Sequence, residues 1–159
     1  MRRAAAARRD VALIRRVITR PAGAGGEDYD AVTAAKFARM QAAGAFALTW
    51  QAHGLCYGIP RGAADSDGLH MVNLSRGVLP LAALAFPDLS VIHVDAAPEV
   101  LALRLAARGR ETAQDIAARI ARDAPLVAGT LPVTYIDNSG DLDSATAAFI
   151  AALNEMAPT

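Results

Sequence analysis

Residues 15–28 read RRVITRPAGAGGED, an arginine pair, a short β-prone run, a third arginine, a glycine-rich loop and two acids. Glycine-rich loops beside strands cradle phosphates, because closely spaced backbone N–H groups can approach an anion. A nucleotide-binding P-loop has the form G-x-x-x-x-G-K-[ST], and its lysine is indispensable. The sole lysine here is Lys36, beyond the acids and inside an expected helix, so residues 22–28 are not such a loop. The plain alternative is a flexible turn after a strand. The flanks point further: Arg20 at a strand end suits a phosphate, and Glu27 and Asp28 suit sugar hydroxyls or a hydrated metal.

Outward from this loop, strand-like and helix-like segments alternate. Residues 1–9 read as the end of a helix and Val11 to Thr19 as a strand. Thr33 caps a helix running to Ala43 and stopped at Gly44. Ala45 to Trp50 and Leu55 to Ile59 are short strands broken by Gly54, and Met71 to Leu74 reads as a buried strand. Pro80 sits early in a helix ending before Phe86 and Pro87. Ser90 to Val94 is β-branched and apolar, hence a central strand. Pro98 opens a helix with Glu99 in its first turn, Leu101 and Leu105 on one face, and Gly109 past its end. Thr112 and Asp115 resemble a capping box for a helix through Ala124. Val133 to Ile136 is a last strand, and Asp141 caps a final amphipathic helix. Strands separated by helices predict an α/β domain with a mostly parallel sheet covered on both sides.

A chain of 159 residues that is 53% hydrophobic can bury a sizeable core as one domain. Its formal net charge of zero gives no reason to expect a polyanionic partner or a membrane surface. Charge is unevenly spread, with seven arginines against one acid in residues 1–20 and four acids without a base in residues 137–159. Cys56 stands alone, which excludes a disulfide framework. No apolar run approaches the ~18 residues of a membrane helix, and no signal-like segment opens the chain. A cytoplasmic protein is expected. His53, His70 and His93 show no ligand spacing, and His93 reads as a core histidine. Trp50 and the tyrosines do not form a nucleic-acid stacking platform.

Two further constellations carry candidate chemistry. In LRLAARGRETAQDIAARIAR, residues 103–122, Arg104 and Arg108 share a helical face, Arg110 follows the glycine, and Arg119 and Arg122 lie on the next helix. Two arginine-bearing helices suit a lid that supplies positive charge to a transferring phosphoryl group, the plain alternative being a solvated face. In MVNLSRG, residues 71–77, Asn73, Ser75 and Arg76 stand at a strand's C-terminal end, where open α/β sheets bind ligands.

Taken in order, RRVITRP, GGEDYDAV, GAFALTWQAHGLCYGIP, MVNLSRGVL and PEVLALRLAARGRETAQDIAARIARDA resemble the ribose 1,5-bisphosphate phosphokinases, a branch of the guanylate kinase-like P-loop kinases. The resemblance runs from about Ala12 to the C-terminal helix. It implies a three-layer P-loop kinase-like fold and an enzyme that moves the γ-phosphoryl of ATP to ribose 1,5-bisphosphate, giving 5-phosphoribosyl 1-diphosphate, an activity linked to phosphonate breakdown. It implies ATP and Mg²⁺ as cofactors and a small-molecule acceptor, with no nucleic acid, no membrane and no dedicated protein metal site. Arg20, Tyr29 and Tyr57 match positions that grip the acceptor phosphate, and Glu27 and Asp28 fall in the matching acidic stretch. Asn73, Ser75 and Arg76 belong to the acceptor region, about residues 20–77. Arg104 and Arg108 match lid arginines, in a lid of about residues 104–124, and Arg119 matches a phosphate-reaching arginine. Leu48 and Thr49 occupy the region of the guanine-reading acids, and Asn73 and Ser75 stand where acids would be expected, a pattern that favours a sugar phosphate over a nucleobase, since a hydrophobic residue cannot accept a guanine's hydrogen bonds.

The family opens on a strand, a Walker A loop and a helix. MRRAAAARRD resembles the end of that helix, so the first strand and P-loop are expected to be missing from a truncated single domain. Either the natural protein is longer by roughly 15 to 30 residues, or this is a real truncated product. Impaired phosphoryl transfer is expected of the chain as given, since Lys36 follows the acceptor loop. The competing functions are a non-catalytic sugar-phosphate or nucleotide binder and a guanylate or other nucleoside monophosphate kinase.

Overall fold

A computed structural model describes residues 1–23, 27–107, 109, 112–114, 116–117, 126 and 128–156. They fall into two compact units, one within residues 1–89 and the other spanning Ser90–Met156.

The first unit opens with α1 (Arg2–Ala7) and β1 (Val11–Leu13), then β2 (Arg16–Ile18), β3 (Tyr29–Ala31), α2 (Ala34–Ala42), β4 (Phe46–Ala52), β5 (Leu55–Pro60), β6 (Leu69–Met71) and α3 (Leu79–Ala85). β1 pairs in parallel with β6. The other four strands form a sheet ordered β3-β2-β5-β4, with β2 parallel to β3 and both β2–β5 and β5–β4 antiparallel. The single strand expected over Val11 to Thr19 is therefore two. Alternation breaks at Ile14 and Arg15, and the chain leaves the partner of β6 to enter a second sheet, where Arg16, Val17 and Ile18 are all buried. The strand expected over Met71 to Leu74 lies earlier, at Leu69–Met71, because β1 is its pairing partner and ends at Leu13.

Local signals explain most boundaries. The Thr33 side chain accepts from the Lys36 N–H at 3.1 Å, and α2 closes before Gly44, whose φ of 69° suits a residue without a Cβ. β4 and β5 are joined by His53 and Gly54 at φ 52° and 72°, a two-residue hairpin turn whose twist matches that of the strands. Pro80 occupies the first turn of α3, where no intrahelical N–H is required of it.

Both faces of the β2–β5–β4 sheet are covered. Ile18, Leu48, Trp50, Tyr57 and Ile59 pack with Val78 and Ala82, from the turn before α3 and from α3 itself. Val17 and Phe46 pack with Phe37 of α2, the two phenyl rings stacking at 4.7 Å. Phe46 and Leu48 should share a face by strand alternation, yet they serve different clusters. A bulge between them inserts Ala47 opposite the Ile59–Pro60 step and turns Phe46 to the other side. Gly58 is where this second cluster leaves no room, since a Cβ there would lie 2.6 Å from two ring carbons of Phe46. Gly58→Ala is expected to destabilise by about 1–3 kcal/mol through overpacking, read as a lower urea midpoint with an unchanged slope.

The second unit contains β7 (Val91–Asp95), α4 (Pro98–Ala107), β8 (Val133–Asp137) and α5 (Leu142–Met156). β7 and β8 pair in parallel over their full length. His93 meets the Tyr135 ring edge-on at 5.5 Å. Asp141 caps α5 by accepting from the Ser144 N–H at 2.8 Å, and the Ser144 hydroxyl and N–H hold its carboxyl below the usual range. Most of the helix expected from Thr112 to Ala124, Asp115 included, lies outside the described residues; within it, the Ile116 N–H donates to the Thr112 carbonyl at 3.0 Å. Three of the five strand pairings in the two units are parallel.

Candidate functional site

The loop between β2 and β3 returns the chain in parallel, so Arg16 of β2 stands opposite Tyr29 of β3. Arg16 is 8% exposed and carries a charge into the interior. A buried guanidinium is tolerated only when neutralised and hydrogen-bonded. Both conditions are met by Glu27, whose carboxylate takes the Arg16 Nε at 3.1 Å and Nη2 in a two-pronged ion pair. The guanidinium carbon also lies 5.2 Å from the Tyr57 ring centroid and 5.6 Å from that of Trp50, and the two rings stack on each other at 5.2 Å. Asn73, just past β6, points its amide at the same carboxylate, 3.5 Å from Oε2.

On the other side of Glu27 an open cleft of about 720 Å³ is lined by Glu27, Asp28, Tyr29, Arg2, Arg15 and Lys36 among others. Its charges come from α1, the β1–β2 junction, the loop, Asp30 of β3 and the first turn of α2. Arg15 is paired with Asp30 at 2.8 Å on the exposed surface. Beside the cleft, the Arg20 guanidinium sits 5.3 Å over the Tyr29 ring, whose hydroxyl donates to the Pro21 carbonyl at 2.5 Å. That bond ties the two ends of the loop together and sets Arg20 against an aromatic face, an arrangement that limits its rotamers while leaving its N–H edge for an anion.

The expected site residues are thus distributed as follows. Arg20, Glu27, Asp28 and Tyr29 lie around one loop, with Asn73 reaching Glu27 from β6. Glu27, which sequence reasoning assigned to a sugar or metal, has both oxygens engaged by Arg16. Tyr57 is 5% exposed and belongs to the packed cluster under Arg16. Ser75 precedes a single 3-10 turn, Arg76–Val78. Arg104, on α4, donates to the carbonyls of Asn138 and Gly140 at 2.7 and 3.2 Å, fastening α4 to the loop after β8. Arg108 and Arg119 lie outside the described residues. Arg16 was missed by sequence reasoning, although its position in phase with buried Ile18 along β2 marks it as inward-facing.

Among the described residues no group of three or more His, Cys, Asp or Glu is placed to hold a metal, and no helix is long and apolar enough to cross a membrane. No family model matches the chain. The ribose 1,5-bisphosphate phosphokinase PhnN of Rhizobium etli is 52% identical over 151 residues, covering 92% of this chain and 76% of that protein. The chain belongs to the ribose 1,5-bisphosphate phosphokinase family. PhnN of Pseudomonas paraeruginosa is 48% identical over 143 residues, covering 87% of this chain and 77% of the other. The ribose 1,5-bisphosphate phosphokinase family is thereby a family of phosphotransferases, and its sequence also occurs within larger proteins. A bifunctional ribose 1,5-bisphosphokinase-thymidine phosphorylase of Cupriavidus pinatubonensis is 43% identical over 87% of this chain but only 24% of its own length. Among solved structures, guanylate kinase from Anaplasma phagocytophilum superposes with a TM-score of 0.65 at 20% identity, over 92% of this chain and 76% of that one. Members of the ribose 1,5-bisphosphate phosphokinase family and guanylate kinase thus share an α/β fold.

Proposed function

We propose that this protein moves the γ-phosphoryl group of ATP to the 1-phosphate of ribose 1,5-bisphosphate, releasing ADP and 5-phosphoribosyl 1-diphosphate. The observation that carries the reading is the 52% identity to a ribose 1,5-bisphosphate phosphokinase across 92% of the chain. The cleft beside the β2–β3 loop supports it with the chemistry a sugar bisphosphate asks for. Arg20, Arg15, Arg2 and Lys36 offer positive charge for two phosphates, and Glu27, Asp28 and the Tyr29 rim offer partners for hydroxyls.

In this reading Arg20 and Tyr29 hold the acceptor phosphate, with Tyr57 as the packed floor beneath. Glu27 and Asp28 orient the sugar, and Asn73, Ser75 and Arg76 complete that side. Arg108 and Arg119 neutralise charge on the transferring group, where positioning and electrostatics supply nearly all of the catalysis. Arg104 fastens α4 to the loop after β8. Mg²⁺ takes one or two carboxylates plus substrate phosphates rather than an all-protein cage, and when bound with ATP it neutralises phosphate charge. The described carboxylates fit that limited share and no more.

The test is phosphorus NMR of the protein with ATP, Mg²⁺ and either ribose 1,5-bisphosphate or GMP, alongside calorimetry of each acceptor. Preference for the ribose bisphosphate over GMP, in binding and in whatever conversion occurs, is the expected result; preference for GMP would place the protein with the nucleoside monophosphate kinases, and binding with no conversion at all would support a non-catalytic binder. Arg20→Ala should weaken acceptor binding roughly 10- to 150-fold, the equivalent of the ~1.5–3 kcal/mol carried by hydrogen bonds to a charged group, with little change in melting temperature.

A further inference from the structure

The Arg16–Glu27–Asn73 cluster contains more than a buried ion pair needs. Arg16 alone satisfies the charge of Glu27 with two N–H bonds, and the flat guanidinium is seated against Tyr57 and Trp50. Asn73 arrives from a different strand pair and addresses the same carboxylate at Oε2. A carboxylate offers about four lone-pair directions; Arg16 takes two and Asn73 a third. One direction is left on a group that also forms part of the wall of the 720 Å³ cleft.

The chemistry of that remaining direction is specific. With its charge compensated by Arg16, Glu27 is an oriented acceptor whose attraction for a further cation is largely spent, and an ionised phosphate has no donor to offer it. A neutral hydroxyl is the group it fits. The neighbouring cation Arg20, seated over the Tyr29 ring, suits a phosphate, which separates the two kinds of recognition across one loop.

We infer that Arg16 is a positioning residue for the acceptor: by clamping Glu27 from beneath, with Asn73 at its side, it presents one carboxylate lone pair to a hydroxyl of the sugar phosphate. This rests on the acceptor reading above. Arg16 itself touches no substrate; it acts through Glu27, and its aromatic seat fixes the angle at which Glu27 is held.

A purely structural pair and a positioning pair respond differently to apolar replacement. Exchanging both members of a buried ion pair for hydrophobic residues is often neutral or stabilising, whereas removing one member is costly. The experiment therefore compares Arg16→Met, Glu27→Leu, the double variant and Arg16→Lys in the full chain, each by thermal melting and by calorimetry with ribose 1,5-bisphosphate. The single apolar variants should melt lower. The double variant should regain most of the lost melting temperature while its Kd stays raised at least tenfold, and Arg16→Lys, which keeps the charge and one donor to Glu27, should regain part of the affinity. Return of wild-type affinity in the double variant would reduce the pair to a structural one and overturn the inference alone. Absence of ribose 1,5-bisphosphate binding by the unaltered protein would overturn the acceptor reading, and the inference with it.

Discussion

Glu27→Leu is expected to lower the free energy of unfolding by about 3–5 kcal/mol, the cost of stranding one partner of a buried ion pair. The reason lies in what Arg16 has around it. Its side chain is 9% exposed, so water cannot take over the two N–H bonds that Glu27 now accepts. Trp50 and Tyr57 attract the cation through their ring faces, but such contacts are worth roughly 0.5–2 kcal/mol and accept no conventional hydrogen bond. Asn73 turns its amide N–H toward this site, and only by turning over would it bring its Oδ1, a single neutral acceptor, to the guanidinium. Chemical denaturation should show the loss as a lower midpoint with the slope retained. A change below about 1 kcal/mol, the size expected of an exposed pair, would mean that Arg16 is solvated in solution.

The second large effect is expected at Ile59, which with Ile18 is one of two fully buried bulky side chains among the described residues, at 0% exposure. Ile59 lies on β5, an inner strand paired on both sides, and its cluster includes Ile18, Leu48, Trp50 and Tyr57. Truncation to alanine removes three carbons and leaves a cavity whose walls cannot collapse, because β2 and β4 are held at fixed spacing by the ladder and the Trp50–Tyr57 stack is rigid. Ile→Ala changes in such sites cost about 2–5 kcal/mol, and the upper half of that range is expected. Ile59→Val, which removes one methyl, should cost about 0.5–1.5 kcal/mol, so the pair of variants separates cavity formation from a general intolerance of change.

Where the sequence was legible, a signal lay within one turn of the element it governed. Thr33 and Gly44 bracket α2 and Asp141 with Ser144 caps α5, each through contacts three residues apart, and Pro80 lies in the first turn of α3. The break within residues 11–19 was not legible, because it depends on which strand pairs with each half, and the partners are β6 for one and β3 and β5 for the other. The site divides in the same way. Arg20, Glu27, Asp28 and Tyr29 are near one another in sequence, so their gathering around one loop requires no tertiary information. The Asn73 contact spans 46 residues, and the cleft cations Arg2, Arg15 and Lys36 come from three separate segments. Arg16 left a trace, a charge in register with Ile18, but a trace that gains meaning only when an acid is found to answer it.

The extra residue in β4 has a consequence for anyone aligning or redesigning this chain. Were Ala47 taken into a regular ladder, as one residue added opposite it in β5 would allow, Phe46 would turn over to join the Trp50 side and the stacking partner of Phe37 would be gone. The sheet would then be heavy on one face and bare on the other, with α2 cut loose from the strand that steadies it. The strands that flank the residues 19–28 loop, β2 and β3, and the helix α2 that follows take their support from both sides of the sheet. A single extra residue in β4 is what divides that support between the faces.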